Sequence, residues 1–339
     1  MSYTSAYTHL RMQGPPGRAY VHRMLDGHHG RTAVSDTTVT AAVLAAAREH
    51  AAGRPGAAAL LDPFHRLGYA RFAEAVPAAA TGLCRLGVRP GDVAAIHLPG
   101  VCELALAVHA VSAAGAVPAP LPAGAGAAEL AAMMTDSGAR FLLTGGATAA
   151  EAVAATEHSY VRQVFSFGNV PGAVPFARLV EAGTPAAPGP GPLPGPVPPP
   201  DPLRDLALLL CDPPGRVTHA ERFADLYRLA AAADLGPGDV LACSAHDVPA
   251  PTWIGLADVC LTAGAAFAGV PGPDPAALLA AIERHAATVA VVTPAKLGAL
   301  VHGNAAPPAP GLRLLLTGPP APELVRACRL HHGWTVQAL

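Results

Sequence analysis

The chain has 339 residues, of which 51% are hydrophobic and only 14% charged, with a net charge of -2. A soluble domain ordinarily carries about 25% charged residues. The balance excludes a disordered chain, which combines few aliphatics with high net charge, and shows no basic face of the kind that nucleic-acid binders carry.

Alanine supplies 76 positions, 35 more are Gly and 37 are Pro, and Lys296 is the only lysine. The first twenty residues contain no apolar h-region, so no secretory signal is expected and the chain is assigned to the cytoplasm. Cys84, Cys102, Cys211, Cys243, Cys260 and Cys328 are widely spaced without a C-x-x-C pair. In a reducing compartment they read as small buried hydrophobes. The uncharged stretch between Glu103 and Glu129 is broken by Pro118, Pro120 and Pro122 and is mostly Ala and Gly, which rules out a membrane-spanning helix.

Residues 1–39 show no sustained period and read as a loose extension. A helix is expected from Thr40, with Thr40 as its N-cap. A repeat follows. Its first copy has a helix ending at Leu86-Gly87, a Pro90-Gly91-Asp92 turn, a strand Val93–His97 and a helix Val101–Ala114. A strand near Ala116–Ala119, a helix Ala127–Met134 and a strand Phe141–Thr144 complete it. The second copy has a helix ending at Leu235-Gly236, a Pro237-Gly238-Asp239 turn, a strand Val240–Ser244 and a helix near Ile254–Ala263. A strand Ala266–Val270, a helix Pro275–His285 and a strand Val289–Thr293 follow.

Each strand is a continuous apolar run, as expected where helices cover both sheet faces. The predicted fold is therefore α/β: two stacked β-α-β subdomains with mostly parallel sheets, at 40–182 and 203–339. Between them, residues 183–202 contain ten prolines and read as a stiff linker.

The ordered series Leu67-Gly68-Tyr69-Ala70-Arg71-Phe72, Leu86-Gly87-Val88-Arg89-Pro90-Gly91-Asp92-Val93, Leu98-Pro99 and Ala114-Gly115-Ala116-Val117 resembles the large N-terminal domain of adenylate-forming enzymes. These are the acyl-CoA synthetases, fatty acyl-AMP ligases and peptide-synthetase adenylation domains. The resemblance runs from about Val43 to Leu339. Ala119–Pro122 and the His246-Asp247 pair lean toward the fatty acyl-AMP ligase branch. The resemblance implies activation of a carboxylic acid with ATP and Mg. It also implies a phosphate loop of the form Y-T-S-G-T-T-G-x-P-K-G after the strand Leu206–Leu210, followed by Thr-His. In such a loop, backbone N–H groups, hydroxyls and a lysine hold the phosphates.

Here the strand and Thr218-His219 are present, but only Cys211-Asp212-Pro213-Pro214-Gly215-Arg216-Val217 stands between them. One Gly remains, with no Ser or Thr, and two prolines remove two N–H donors. Asp212 adds negative charge where a triphosphate is expected. Arg216 reads more simply as a solvated surface residue than as a replacement phosphate ligand. In the family a Y-G-x-T-E stretch, a ribose-holding acid, a hinge and a small domain with a catalytic lysine follow the region resembling Leu312–Gln337. The chain stops at Leu339.

The residual nucleotide-loop positions are thus Asp212, Pro213, Pro214, Gly215, Arg216 and Thr218. His246, Trp253, Thr317 and Gly318 are candidates for a substrate pocket. His246 reads equally well as a locally bonded strand-end histidine, and Trp253 reads equally well as core. In the pairs His28-His29 and His331-His332, neighbouring side chains point in different directions, and no third metal ligand is spaced nearby. A Cys211 or Ser244 nucleophile beside His246 lacks the Gly-x-Ser-x-Gly elbow.

The expectation is a truncated, catalytically inactive family member that needs no cofactor or metal. It would act as a binding or scaffold protein, with a protein partner or a second copy of itself and a carboxylic or fatty acid as ligand. The alternative is a ligase subunit that uses ATP and Mg when completed by another chain. A third reading is an interaction module that keeps the fold for its surface.

Overall fold

A computed structural model describes residues 38–184, 199–302, 311–319 and 321–339. The expected extension over 1–39 lies almost wholly outside these residues, as does the middle of the linker, residues 185–198, and so do His28, His29 and Pro320.

In chain order the first elements are α1 (Val39–Gly53), β1 (Ala58–Leu61), β2 (Arg66–Gly68), α2 (Tyr69–Arg85) and β3 (Val93–His97). Next come α3 (Val101–Ala113), β4 (Val117–Pro120), α4 (Ala127–Asp136), β5 (Phe141–Gly145) and α5 (Ala149–Thr156). β6 (Gln163–Phe167), β7 (Val174–Pro175) and α6 (Phe176–Gly183) complete the first half. The second half begins with β8 (Leu206–Cys211), β9 (Pro214–Thr218), α7 (His219–Ala233), β10 (Val240–Ser244) and α8 (Ala250–Ala263). It continues through β11 (Ala266–Val270), α9 (Pro275–His285), β12 (Val289–Val292), α10 (Pro294–His302), β13 (Arg313–Leu316), α11 (Pro322–Ala327) and β14 (Thr335–Ala338).

Two parallel sheets form the frame. One has the order β4-β3-β5-β6-β7, and the other β14-β13-β12-β10-β11-β1-β2. Only the β1–β2 pair within them is antiparallel. The repeat is visible in the topology: β4-β3-β5 and β11-β10-β12 place first, second and third strands in the same relative order. The Pro-Gly-Asp turns do the same work in both copies. Asp92 Oδ2 accepts from Arg89 N at 2.8 Å, and Asp239 Oδ2 accepts from Gly236 N at 2.8 Å. Each carboxylate fixes the turn that launches the central strand of its module.

Sheet membership cuts across the sequence division. β1 pairs in parallel with β11, so residues near 60 complete the sheet of the second module. A single apolar cluster, with Phe72, Val108, Trp253 and Leu256 among its members, runs through both halves. At about 1.5–3 kcal/mol for each fully buried large aliphatic or aromatic side chain, this shared core holds the two modules together.

α8 starts four residues before Ile254 and α4 runs two residues past Met134, and two further helix ends differ from expectation for a visible reason. Thr38, not Thr40, is the N-cap of α1, its hydroxyl accepting from Ala41 N. Thr40 instead points to a partner 69 residues away. α7 ends in the left-handed residue Asp234 (φ 44), before Gly236, because the Gly236 N–H is held by Asp239. Gly264 does cap α8 at φ 78, and a Cβ there would come within 2.6 Å of the Arg54 guanidinium. No helix among the described residues is long and apolar enough to cross a membrane.

Candidate functional site

The residues expected to form a nucleotide loop form a tight hairpin. β8 and β9 pair antiparallel from Leu206 opposite Thr218 to Cys211 opposite Pro214. Only Asp212 and Pro213 are left for the turn, and their peptide bond is cis. The three tip residues Asp212, Pro213 and Pro214 carry one backbone N–H among them, beside a carboxylate. Arg216 is exposed on β9, opposite Leu209. Thr218 caps α7: its hydroxyl accepts from Glu221 N at 3.3 Å, and Glu221 Oε2 accepts from Thr218 N at 2.8 Å. This capping box satisfies the helix end that could otherwise attract an anion. A triphosphate needs several convergent N–H and cationic donors. The hairpin does not supply them, so its residues do not fit ATP phosphates.

The second candidate region is the carboxyl edge of the larger sheet. The chain leaves β10 for β11 on one side and returns to β12 on the other, so the crevice between β10 and β12 is a topological switch point. Ligands of open α/β sheets bind at such crevices. Ser244 Oγ donates to Gly272 O at 2.7 Å and lies 3.3 Å from His246 Nδ1. Its proton is thereby committed to a carbonyl, which leaves no activated nucleophile. His246 is exposed, as is Thr317 at the end of β13. Gly318 lies against the Pro294 ring, from which an added Cβ would be 3.5 Å away.

At this edge lies a group that sequence reasoning did not place. Lys296 Nζ donates to Asp247 Oδ2 at 2.6 Å, with side-chain exposures of 4% and 3%. The only lysine of the chain is thus a buried ion-pair partner at the switch point. Fully buried Cys243 lies close to the pair, and burial pushes its thiol pKa well up.

Trp253 is not part of this edge cluster. It is buried in the first turn of α8, edge-on to Phe267 at 5.8 Å, and shares a small void with Val101, Leu104, His109 and Asp258. Cys211 has its thiol pKa raised by burial and belongs to the hairpin, away from His246. His332 stacks on Trp334 at 4.3 Å, and no group of three or more His, Cys, Asp or Glu among the described residues is placed to hold a metal.

A second buried charge chain crosses the module interface. His109 Nε2 donates to Asp258 Oδ1 at 2.9 Å, and Arg222 Nη2 donates to Asp258 Oδ2 at 2.9 Å. The Thr40 hydroxyl and His109 Nδ1 are bonded at 3.0 Å. Burial alone would raise the Asp258 pKa, but Arg222 and His109 outweigh it and hold the carboxyl below its usual range. The signal was present in the sequence. A His within ELALAVHAV and an Asp within IGLADVCL interrupt apolar helices, and buried charges require partners.

Residues 47–210 match the AMP-binding enzyme family. The chain is 32% identical over 246 residues to the salicyl-AMP ligase / salicyl-S-ArCP synthetase of Mycobacterium tuberculosis, covering 68% of this chain and 41% of that protein. It is 38% identical over 111 residues to enterobactin synthase component F of Escherichia coli, covering 33% of this chain and 8% of that protein. The chain therefore spans about two fifths or less of these relatives. The apo structure of Mycobacterium smegmatis MbtA superposes with a TM-score of 0.69 at 26% identity, over 94% of this chain and 58% of that one. A benzoate CoA ligase from Burkholderia xenovorans superposes at 0.71 and 22% identity, over 89% of this chain and 60% of that one, a likeness of fold. With the paired α/β modules and the hairpin in the family's order, the chain belongs to the adenylate-forming superfamily of AMP-binding enzymes.

Proposed function

We propose that this chain is a carboxylic-acid-binding member of the superfamily whose own hairpin does not hold the ATP triphosphate, and that it acts as a binding or scaffold partner. The observation that carries this reading is the β8–β9 turn. Asp212 and Pro213 close the hairpin, and its tip offers one N–H beside a negative charge. Phosphate binding draws on several donors at once, and one exposed arginine does not replace them. The acid is assigned to the switch-point crevice, where Lys296 supplies the cation and Asp247 balances it until a ligand carboxylate competes. The salicylate named for the mycobacterial relative makes an aromatic acid the first probe, with a fatty acid second.

ATP–pyrophosphate exchange with salicylate and with decanoate tests the reading. The chain alone should give no exchange above the blank, while calorimetry should detect acid binding that is lost in Lys296→Met. Exchange by the chain alone would overturn the first part. Acid binding unchanged in Lys296→Met would overturn the second.

The similarity to the salicyl-AMP ligase over 68% of the chain favours one other reading, a ligase subunit that activates a carboxylic acid with ATP and Mg when a second chain supplies further residues. Exchange that appears only on adding such a chain would select it.

A further inference from the structure

We infer that the cleft between the hairpin base and α1 is a second ligand site, selective for an amphipathic organic anion. The cleft encloses about 670 Å³. It lies at the amino ends of β3 and β4, because Pro90, Gly91 and Val117 line it. None of Ser244, His246, Asp247, Lys296, Thr317 and Gly318 lines it, so the site is separate from the one proposed above and does not depend on it.

Its walls combine two chemistries. Leu44, Val117 and several alanines and prolines form an apolar face. Arg204, Arg216 and His219 line it with polar groups. The charges are unevenly satisfied. Asp205, the acidic residue lining the cleft, has its carboxylate engaged by Asp201 N at 2.7 Å. Arg204 is paired loosely with Asp201 at 3.8 Å. Arg216 has no hydrogen-bond or ion-pair partner among the described residues.

His219 is the independent sign of a ligand. It is 6% exposed, and its Nδ1 is buried without a partner among the described residues. A buried imidazole nitrogen left unpaired costs about 1–3 kcal/mol, which the ring would recover by turning toward a polar group bound in the cleft it lines. Burial, reinforced by the neighbouring Arg222 and opposed by Asp205, lowers the His219 pKa, so the ring is offered as a hydrogen-bonding group. The cleft is also rigidly floored. Thr40, which lines it, is tied through His109 and Asp258 to Arg222, one turn along α7 from His219. A preformed apolar cavity with a few fixed polar groups and one unpaired cation suits a small molecule with an apolar body and a single anionic head.

The probe is 1-anilinonaphthalene-8-sulfonate, titrated into the full chain and followed by fluorescence, with circular dichroism confirming that each variant is folded. Saturable binding is expected. Arg216→Gln should weaken it about tenfold, the size of one charge-assisted hydrogen bond. Ala41→Trp, at an exposed position on the cleft rim, should abolish it. Arg66→Gln, in the separate cavity beside Glu103, should leave it within about twofold. Uncharged N-phenyl-1-naphthylamine should bind at least about tenfold more weakly than the sulfonate. Absence of saturable binding, or affinity indifferent to both Arg216→Gln and Ala41→Trp, would overturn the site. Equal affinity for the uncharged analogue would overturn its selectivity for anions. If Arg216→Gln fails to fold, Ala41→Trp and the uncharged analogue decide between these outcomes.

Discussion

Replacing Asp258 with Asn keeps the side chain's shape and removes one charge from the chain that crosses the module interface. Asp258 accepts from His109 and Arg222 at 2.9 Å each, and the three side chains are 1–6% exposed. The Asn variant leaves the Arg222 guanidinium buried and uncompensated. Breaking a buried pair from one side costs about 3–5 kcal/mol. That lowers the folded-to-unfolded ratio by about two to four powers of ten, and the urea midpoint should fall by on the order of 1 M. Asp225→Asn is the internal control. It removes the carboxylate of the Arg228 pair on α7, where both side chains are half exposed at 54% and 51%. Its cost should be about 0–1 kcal/mol and should shrink in high salt. The pH dependence adds a sign. The folded Asp258 carboxyl titrates below its ordinary value, so its stabilisation is complete above about pH 3.9 and is lost as pH falls through the folded pKa. Asp258→Asn should lack that loss. Equal midpoint shifts for Asp258→Asn and Asp225→Asn would refute the account of the interface.

Lys296→Met or Asp247→Asn alone should each cost about 3–5 kcal/mol by urea unfolding, whereas the double variant Lys296→Met with Asp247→Leu should come back close to the parent. His97 and His219 are buried, and burial lowers both pKa values, so the folded rings resist the proton that the unfolded rings accept below about pH 6.5. Stability should therefore fall as pH drops from 7.5 to 5.5, and His97→Leu should flatten that slope. Gly82→Ala should destabilise by about 1–3 kcal/mol, because its Cβ would collide with the Leu179 carbonyl where α2 and α6 pack at backbone contact.

The strands β3, β10 and β11 are legible because each is a continuous apolar run preceded by a Gly turn, and both Pro-Gly-Asp turns announce the repeat. β1 is not. Ala-Ala-Leu-Leu in an alanine-rich stretch carries no period, and its partner β11 lies some two hundred residues away, so only the assembled sheet defines it. Thr38 and Thr40 are chemically equal as N-caps of α1 in the sequence, and the buried His109, which takes Thr40, decides between them. The short nucleotide hairpin could be read directly, since its length and its prolines limit the donors it can present. The Lys296–Asp247 pair could not, because the two residues are 49 positions apart and are joined only by the β10–β12 crossover.

The closed β8–β9 hairpin is tested most directly by comparing Mg-ATP with AMP, each in the same Mg-containing buffer, by calorimetry on the full chain. Both nucleotides carry the same adenosine and α-phosphate, so any difference in affinity reports what the hairpin adds at the β- and γ-phosphates. Mg-ATP is expected to bind no more tightly than AMP. Mg-ATP binding tenfold or more tighter than AMP, and weakened by Arg216→Gln, would contradict it.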